Sequence, residues 1–163
     1  MENLGRIITE HPFMKGLEPK FIELIVGCAS NVRFDPGAFI FREGEEAKQF
    51  YIIRQGKVAL EINAPKGPIT IQTLEEGEIL GWSWMAPPYY WHCDGHALEL
   101  TRAIAFDGIC LRTKSKEDKN LGYELMMRIA PIIVQRLEAT QLKLLDFFKG
   151  TSKNSFRRNE IGK

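Results

Sequence analysis

Apolar residues recur at helical spacing near both ends of the chain and at every second position through its middle. Over Glu2 to Thr9 the residues Leu4, Ile7 and Ile8 share one helical face, and over Pro19 to Ala29 so do Phe21, Leu24 and Ile25. This predicts two N-terminal helices. Pro19 suits the first turn of the second, where a missing amide hydrogen costs nothing. From Asn31 the period becomes two. Val58, Leu60 and Ile62 alternate with Lys57, Ala59, Glu61 and Asn63, and Ile69, Ile71 and Thr73 continue the alternation, as half-buried strands require. Two prolines and a glycine in Ala64-Pro65-Lys66-Gly67-Pro68 predict the loop of a hairpin between these strands. Further strands are expected over Leu98 to Ala105 and Ile109 to Arg112. The fold class expected is mainly β with flanking α: an antiparallel jelly-roll or cupin-like barrel, N-terminal helices and a long C-terminal helix.

That last helix is read from the segment beyond Ser115, where Ser115 and Asp118 are placed as an N-cap and its partner. Met126, Ala130, Ile133, Leu137, Thr140, Leu144 and Phe147 then alternate steps of four and three. Such heptad spacing predicts a helix-pairing seam, so a homodimer through Ile133, Leu137, Leu144 and Phe147 is expected. The alternative is an amphipathic helix lying on its own barrel. Pro131 should kink this helix or start a new one. The chain divides accordingly into residues 1–114 (helices and barrel), 115–148 (C-terminal helices) and 149–163, a polar tail expected to be flexible. That tail cannot hold a helix-turn-helix, so no DNA partner is expected.

Composition narrows the class. The length of 163 residues suits one domain plus a helical extension. Lys and Arg number 22 against 21 Asp and Glu, so no basic excess steers the chain to nucleic acid or anionic lipid. No leader-like segment opens it and no run of about 18 apolar residues occurs. A cytoplasmic protein without a membrane partner is the expectation. The three cysteines, Cys28, Cys93 and Cys110, are odd in number and far apart, which suits reduced, buried thiols better than a disulfide framework or a zinc site.

Chemistry enters through the glycines. From Asp35 to Leu60 they punctuate short apolar segments: the Gly37 turn, Ile40, Gly44, Ala47, the strand Phe50-Tyr51-Ile52-Ile53, and Gly56-Lys57-Val58. A second pattern, Gly77-Glu78-Ile79-Leu80-Gly81, follows downstream. Together they resemble a cyclic-nucleotide-binding domain. The resemblance implies that the segment after Gly81 leads into a short helix whose free amides, on Ser83, Trp84 and Met85, cradle a phosphate. It also implies a ribose-binding Glu just after that glycine, then an Arg-Ser/Thr-Ala triplet for the cyclic phosphate. Here the Glu position is Trp82, and no Lys or Arg occurs from Trp82 to Thr101. Burying a phosphate without a cation is costly, so weak or absent binding of cyclic AMP and cyclic GMP is expected. Gly95-His96-Ala97 is the nearest counterpart of the triplet, which puts His96 in the role of the phosphate-pairing Arg, with Arg102 as its rival.

The candidate ligand-binding residues are therefore Glu78, Gly81, Trp82, Ser83, Trp84, His96 and Arg102. Trp82, Trp84, Tyr89, Tyr90 and Trp91 crowd the same stretch, and such rings either stack on a planar ligand or fill the pocket themselves. His92, Cys93, Asp94 and His96 could ligate a metal, but their contiguity matches no metal motif, and a Cys-His catalytic pair lacks an orienting partner. No metal, cofactor or catalytic residue is expected. The function expected is a non-enzymatic regulatory module that senses a cyclic nucleotide only weakly or another small molecule. The alternative is a ligand-free scaffold with a pocket closed by its own aromatics, and a third reading is a metal-dependent cupin enzyme.

Overall fold

The structure, a computed structural model, describes residues 3–158, with side chains described as far as Gly150. Helix α1 (Leu4–Glu10) is capped by the Asn3 side chain, which accepts from the Gly5 amide, as short polar N-caps do. A single 3-10 turn (Pro12–Met14) leads to α2 (Pro19–Val26), which buries Phe21 and Ile25. The helix ends at Val26 rather than at Ala29, and Ala29 opens the first strand. Eight strands follow: β1 (Ala29–Phe34), β2 (Phe39–Phe41), β3 (Gln49–Gln55), β4 (Val58–Ile62), β5 (Ile69–Leu74), β6 (Ile79–Leu80), β7 (Asp94–Ala97) and β8 (Thr101–Asp107). They form two antiparallel four-stranded sheets, in the orders β1-β8-β3-β6 and β2-β7-β4-β5. This is the expected jelly-roll architecture, and the β4–β5 hairpin lies where the alternation placed it.

Between the barrel and its helices lies an aromatic core. Phe50 stacks on both Trp84 and Phe106, with ring centroids 5.0 and 4.5 Å apart. All three side chains are fully buried, and such stacked pairs add directional preference to area burial.

The segment after β8 differs from its sequence reading. Ile109–Arg112 are not a strand but part of α3 (Gly108–Glu117). Their apolar residues are too few to set a period, whereas the Asp107 carboxylate accepts from the Cys110 amide and caps a helix there. Ser115 consequently lies inside α3, and Asp118 ends that helix while accepting from the Asn120 amide of the next. That helix, α4 (Lys119–Arg158), runs without a break through Pro131. Pro131 sits on the exposed side, where water can satisfy the carbonyl one turn back. The helix also continues past residue 148, into the stretch read as a flexible tail. Residues 159–163 lie outside the described residues.

The cysteines are the second departure. Cys28 and Cys110 form a disulfide, with Cα atoms 6.0 Å apart, and Cys93 alone is free. Their separation of 82 residues concealed the pairing. Tertiary structure supplies it, because Ala29 on β1 pairs with Phe106 on β8, which brings the residue before β1 beside the first turn of α3.

Candidate ligand-binding site

A cavity of about 150 Å³ opens between the β2-β7-β4-β5 sheet, the segment after β6, and α4. The alternation read from β4 and β5 supplies its floor, since Leu60, Ile62 and Ile71 point into it. Gly81 is required at its rim. The residue has φ +93°, and a Cβ there would meet the Trp91 ring at 2.7 Å, so any side chain would be strained and would collide. Trp91 stacks on Phe41 with ring centroids 3.7 Å apart, and Trp82 stacks on His92 at 4.9 Å. All four rings line the cavity.

After Gly81 the chain makes turns rather than a helix. There the Met85 amide donates to the Trp82 carbonyl at 3.1 Å, so of the three amides expected to cradle a phosphate at least this one is spent within the chain. Ser83 is buried, and its hydroxyl lies 3.1 Å from His92 Nδ1. Among the described contacts no carboxylate orients the His92 ring, so the pair lacks the third group of a nucleophilic dyad.

Of the residues singled out from sequence, Gly81, Trp82 and Ser83 line the cavity, and Glu78 acts electrostatically on a cavity residue described below. The other three lie elsewhere. Trp84 is wholly buried in the core against Phe50; a ring this large and apolar is drawn there in preference to a half-wet pocket. His96 stacks on Phe39 at 4.7 Å, and its Nδ1 lies 3.4 Å from a Glu61 carboxylate oxygen. The two-residue period of β7 explains this, because its neighbour Gly95 is the residue pressed against Phe41. Arg102 lies on β8 beside Arg33 and Arg54, on the other sheet. The aromatic cluster divides likewise: Tyr89 lies beneath the Arg112 guanidinium and Tyr90 is exposed.

Asp94 and Cys93, two of the residues whose types could ligate a metal, have other surroundings. The buried Asp94 carboxylate accepts from the Glu43 amide at 2.7 Å and from Asn63, and pairs with Arg42 at 3.3 Å. Burial, with Asp94 adding to it, pushes the Cys93 thiol up to about 11, so the thiol is neutral at pH 7. Among the described residues no group of three His, Cys, Asp or Glu is placed to hold a metal ion.

The cavity does hold a cation, and it comes from α4. Arg136 lines the pocket beside Thr140. Its Nη1 donates to Gln72 Oε1 on β5 and its Nη2 to the Ile79 carbonyl on β6, each at 2.8 Å, so one guanidinium bridges both sheets. Burial lowers its pKa, and Glu78 partly opposes that. Sequence reading sought a cation between Trp82 and Thr101 and missed this one, which is distant in sequence and reaches the cavity only because α4 folds back over the barrel. An Arg within an apolar helical stripe was the available signal, since Leu121, Leu125 and Ile129 before it are all buried against the barrel.

The cyclic nucleotide-binding domain profile matches residues 31–117. Human cGMP-dependent protein kinase 2 is 34% identical over 82 residues, 49% of this chain and 11% of the kinase. The CRP-like cAMP-activated global transcriptional regulator of Mycobacterium tuberculosis is 24% identical over 144 residues, 88% of this chain and 62% of the regulator. The chain thus spans less than two thirds of either relative. Among solved structures, a candidate cyclic nucleotide-binding protein from Geobacter metallireducens GS-15 superposes with TM-score 0.74 at 25% identity, covering 84% of this chain and 99% of that one. The sensor domain of the transcriptional regulator DNR from Pseudomonas aeruginosa gives 0.65 at 19%, covering 82% and 90%. The matched residues make up more than half of the chain and hold all of the barrel from Asn31 onward, and the chain belongs to the cyclic nucleotide-binding domain family.

Proposed function

We propose that this domain is a regulatory, non-catalytic ligand-binding module, and that its ligand is a small molecule other than cyclic AMP or cyclic GMP, which bind weakly if at all. The observation that carries this reading is the substitution at the rim. Trp82 presents a stacked ring where the family resemblance implies a ribose-binding carboxylate, and the cavity's cation enters from α4 instead of the neighbouring strand. Gly81, Trp82, Ser83 and Arg136 are the ligand-contacting residues in this reading. The cavity, at about 150 Å³, is smaller than the several hundred Å³ of most drug-sized ligand sites. It remains open with Phe41, Trp82 and Trp91 in place, which favours a ligand site over a scaffold closed by its own aromatics.

The module acts as a homodimer through α4 in this proposal. Beyond Arg136 the helix carries Leu137, Leu144 and Leu145, each more than half exposed. The heptad spacing supplies the occupant, since a seam with a 3.5-residue repeat is complementary to a second copy of itself. Among the described residues no helix is long and apolar enough to cross a membrane, and the domain works in the cytoplasm in this reading.

Calorimetry with cyclic AMP and cyclic GMP at neutral pH tests the ligand assignment. No saturable heat below the high-micromolar range is expected. A low-micromolar dissociation constant for either nucleotide overturns it.

A further inference from the structure

We propose that Arg136 is the anion-recognising residue of the cavity and that the ligand is a small planar aromatic monoanion, of the size and charge of an aryl carboxylate. This rests on the reading of the cavity as a ligand site and names the ligand class.

The cavity's charge is the first argument. Arg136 has five N–H donors in a planar fork, and the two acceptors described for it are neutral, the Gln72 side-chain oxygen and the Ile79 carbonyl. No carboxylate is hydrogen-bonded to it among the described contacts. Glu78 offers a partial counter-charge at a distance, but one carboxylate oxygen of Glu78 is engaged by the Glu75 amide. The other ionisable lining groups are Cys93, whose thiol is neutral, and His92 at the exposed rim. The cavity is thus a partly desolvated site whose one positive charge has only a partial, non-bonded counter-charge, and a charge withdrawn from water is costly until it is paired. One anionic oxygen pair satisfies it, and a carboxylate matches the fork bidentately.

Shape is the second argument. Apart from Ser83 and Thr140, the walls are apolar and half aromatic: Phe41, Trp82 and Trp91 with Leu60, Ile62 and Ile71. Such walls favour a flat ring. A cavity of about 150 Å³ suits a compact ligand of one or two fused rings with a small substituent.

The position of Arg136 also couples this ligand to α4. Its guanidinium ties the helix to β5 and β6, so an anion that draws N–H groups from either acceptor changes how the helix is held, one residue before the exposed Leu137.

Tryptophan fluorescence titration with benzoate, indole-3-carboxylate and the neutral isostere benzamide tests the proposal, since Trp82 and Trp91 line the cavity. Saturable quenching by at least one carboxylate is expected, with benzamide weaker than benzoate by about tenfold or more. Arg136→Lys, which keeps the charge and loses the fork, should weaken the carboxylate by about tenfold, and Arg136→Gln by more. Thermal melts establish that both variants are folded. Equal binding of benzoate and benzamide, or of carboxylate to wild type and both variants, overturns the assignment of Arg136 while leaving a ligand cavity in place. No saturable quenching by either carboxylate at millimolar concentration overturns the ligand class. Tight cyclic AMP binding in the calorimetry above would instead show that the reading beneath it had failed.

Discussion

The Sγ atoms of Cys28 and Cys110 are bonded across 82 residues of sequence, joining the residue before β1 to the first turn of α3. In the chain-entropy account a cross-link over a loop of this length stabilises by about 4 to 5 kcal/mol, and natural disulfides commonly deliver 2 to 5. Cys110→Ser should therefore lower the melting temperature distinctly. A thiol titration of unfolded, unreduced protein should find one reactive group, rising to three after reduction. In the folded protein at neutral pH even that one should react slowly, because burial holds the Cys93 thiol up at about 11. Three thiols without reduction would show that the bridge does not form.

Trp84 and Trp82 are two residues apart and should respond oppositely to substitution. Trp84 is fully buried against Phe50, so Trp84→Ala should cost about 3 to 5 kcal/mol, as large aromatic deletions in cores do. Its indole Nε1 is buried without an acceptor among the described residues, which makes Trp84→Phe much cheaper, since the desolvated donor leaves with the ring. Trp82→Ala should cost distinctly less than Trp84→Ala and should instead abolish ligand-induced stabilisation. Denaturant melts of the three variants separate these outcomes.

What the sequence disclosed and what it hid divide along one physical line. The two-residue period of Val58, Leu60 and Ile62 is a local property, and it located both the β4 strand and the cavity floor. The glycines at 77 and 81 mark turns for equally local reasons, as their positive φ angles show. Arg136, by contrast, depends on where α4 comes to rest, and no spacing near Gly81 could reveal it. The Cys28–Cys110 bridge likewise follows from the β1–β8 pairing. His96 failed for a simpler reason. A residue can occupy the right place along a strand and still face away, since one step reverses its direction.

Protonation of His11 should loosen the seat of the cavity. Its Nδ1 accepts from the Phe13 amide and its Nε2 lies 2.9 Å from the Gly77 carbonyl, so the neutral ring, protonated at Nε2, satisfies both. Burial lowers its pKa below the ordinary 6.5, with the Gly77 carbonyl partly opposing. A folded-state pKa below the unfolded one means that the unfolded chain binds the proton more readily. This contribution is therefore complete above about pH 6.5 and is lost as pH falls through that value toward the folded pKa. Melting temperatures compared at pH 7.5 and 5.5 should drop more for wild type than for His11→Gln. An equal drop in both would assign the pH dependence elsewhere.

The helix seam makes the last prediction. Ile133 is partly buried against the barrel, so the stripe read as one surface changes allegiance along its length. Leu121, Leu125 and Ile129 serve the barrel, while Leu137 and Leu144 are 57% and 56% exposed. Burying each of these leucines in a pair of helices gains about 1.5 to 3 kcal/mol, from which the entropy of association and side-chain ordering must be subtracted. A symmetric dimer doubles the contribution of each position, so these leucines gain about 6 to 12 kcal/mol before those costs, and association near micromolar needs the neighbouring exposed Leu145 and Phe147 in the seam as well. Leu137→Glu places two carboxylates at the same desolvated level of the seam and should dissociate the dimer. Ile133→Glu should instead damage the fold, because that side chain rests on the barrel. Sedimentation at tens of micromolar distinguishes the two. A monomeric wild type, or a Leu137→Glu variant that stays dimeric, would show that this seam does not pair.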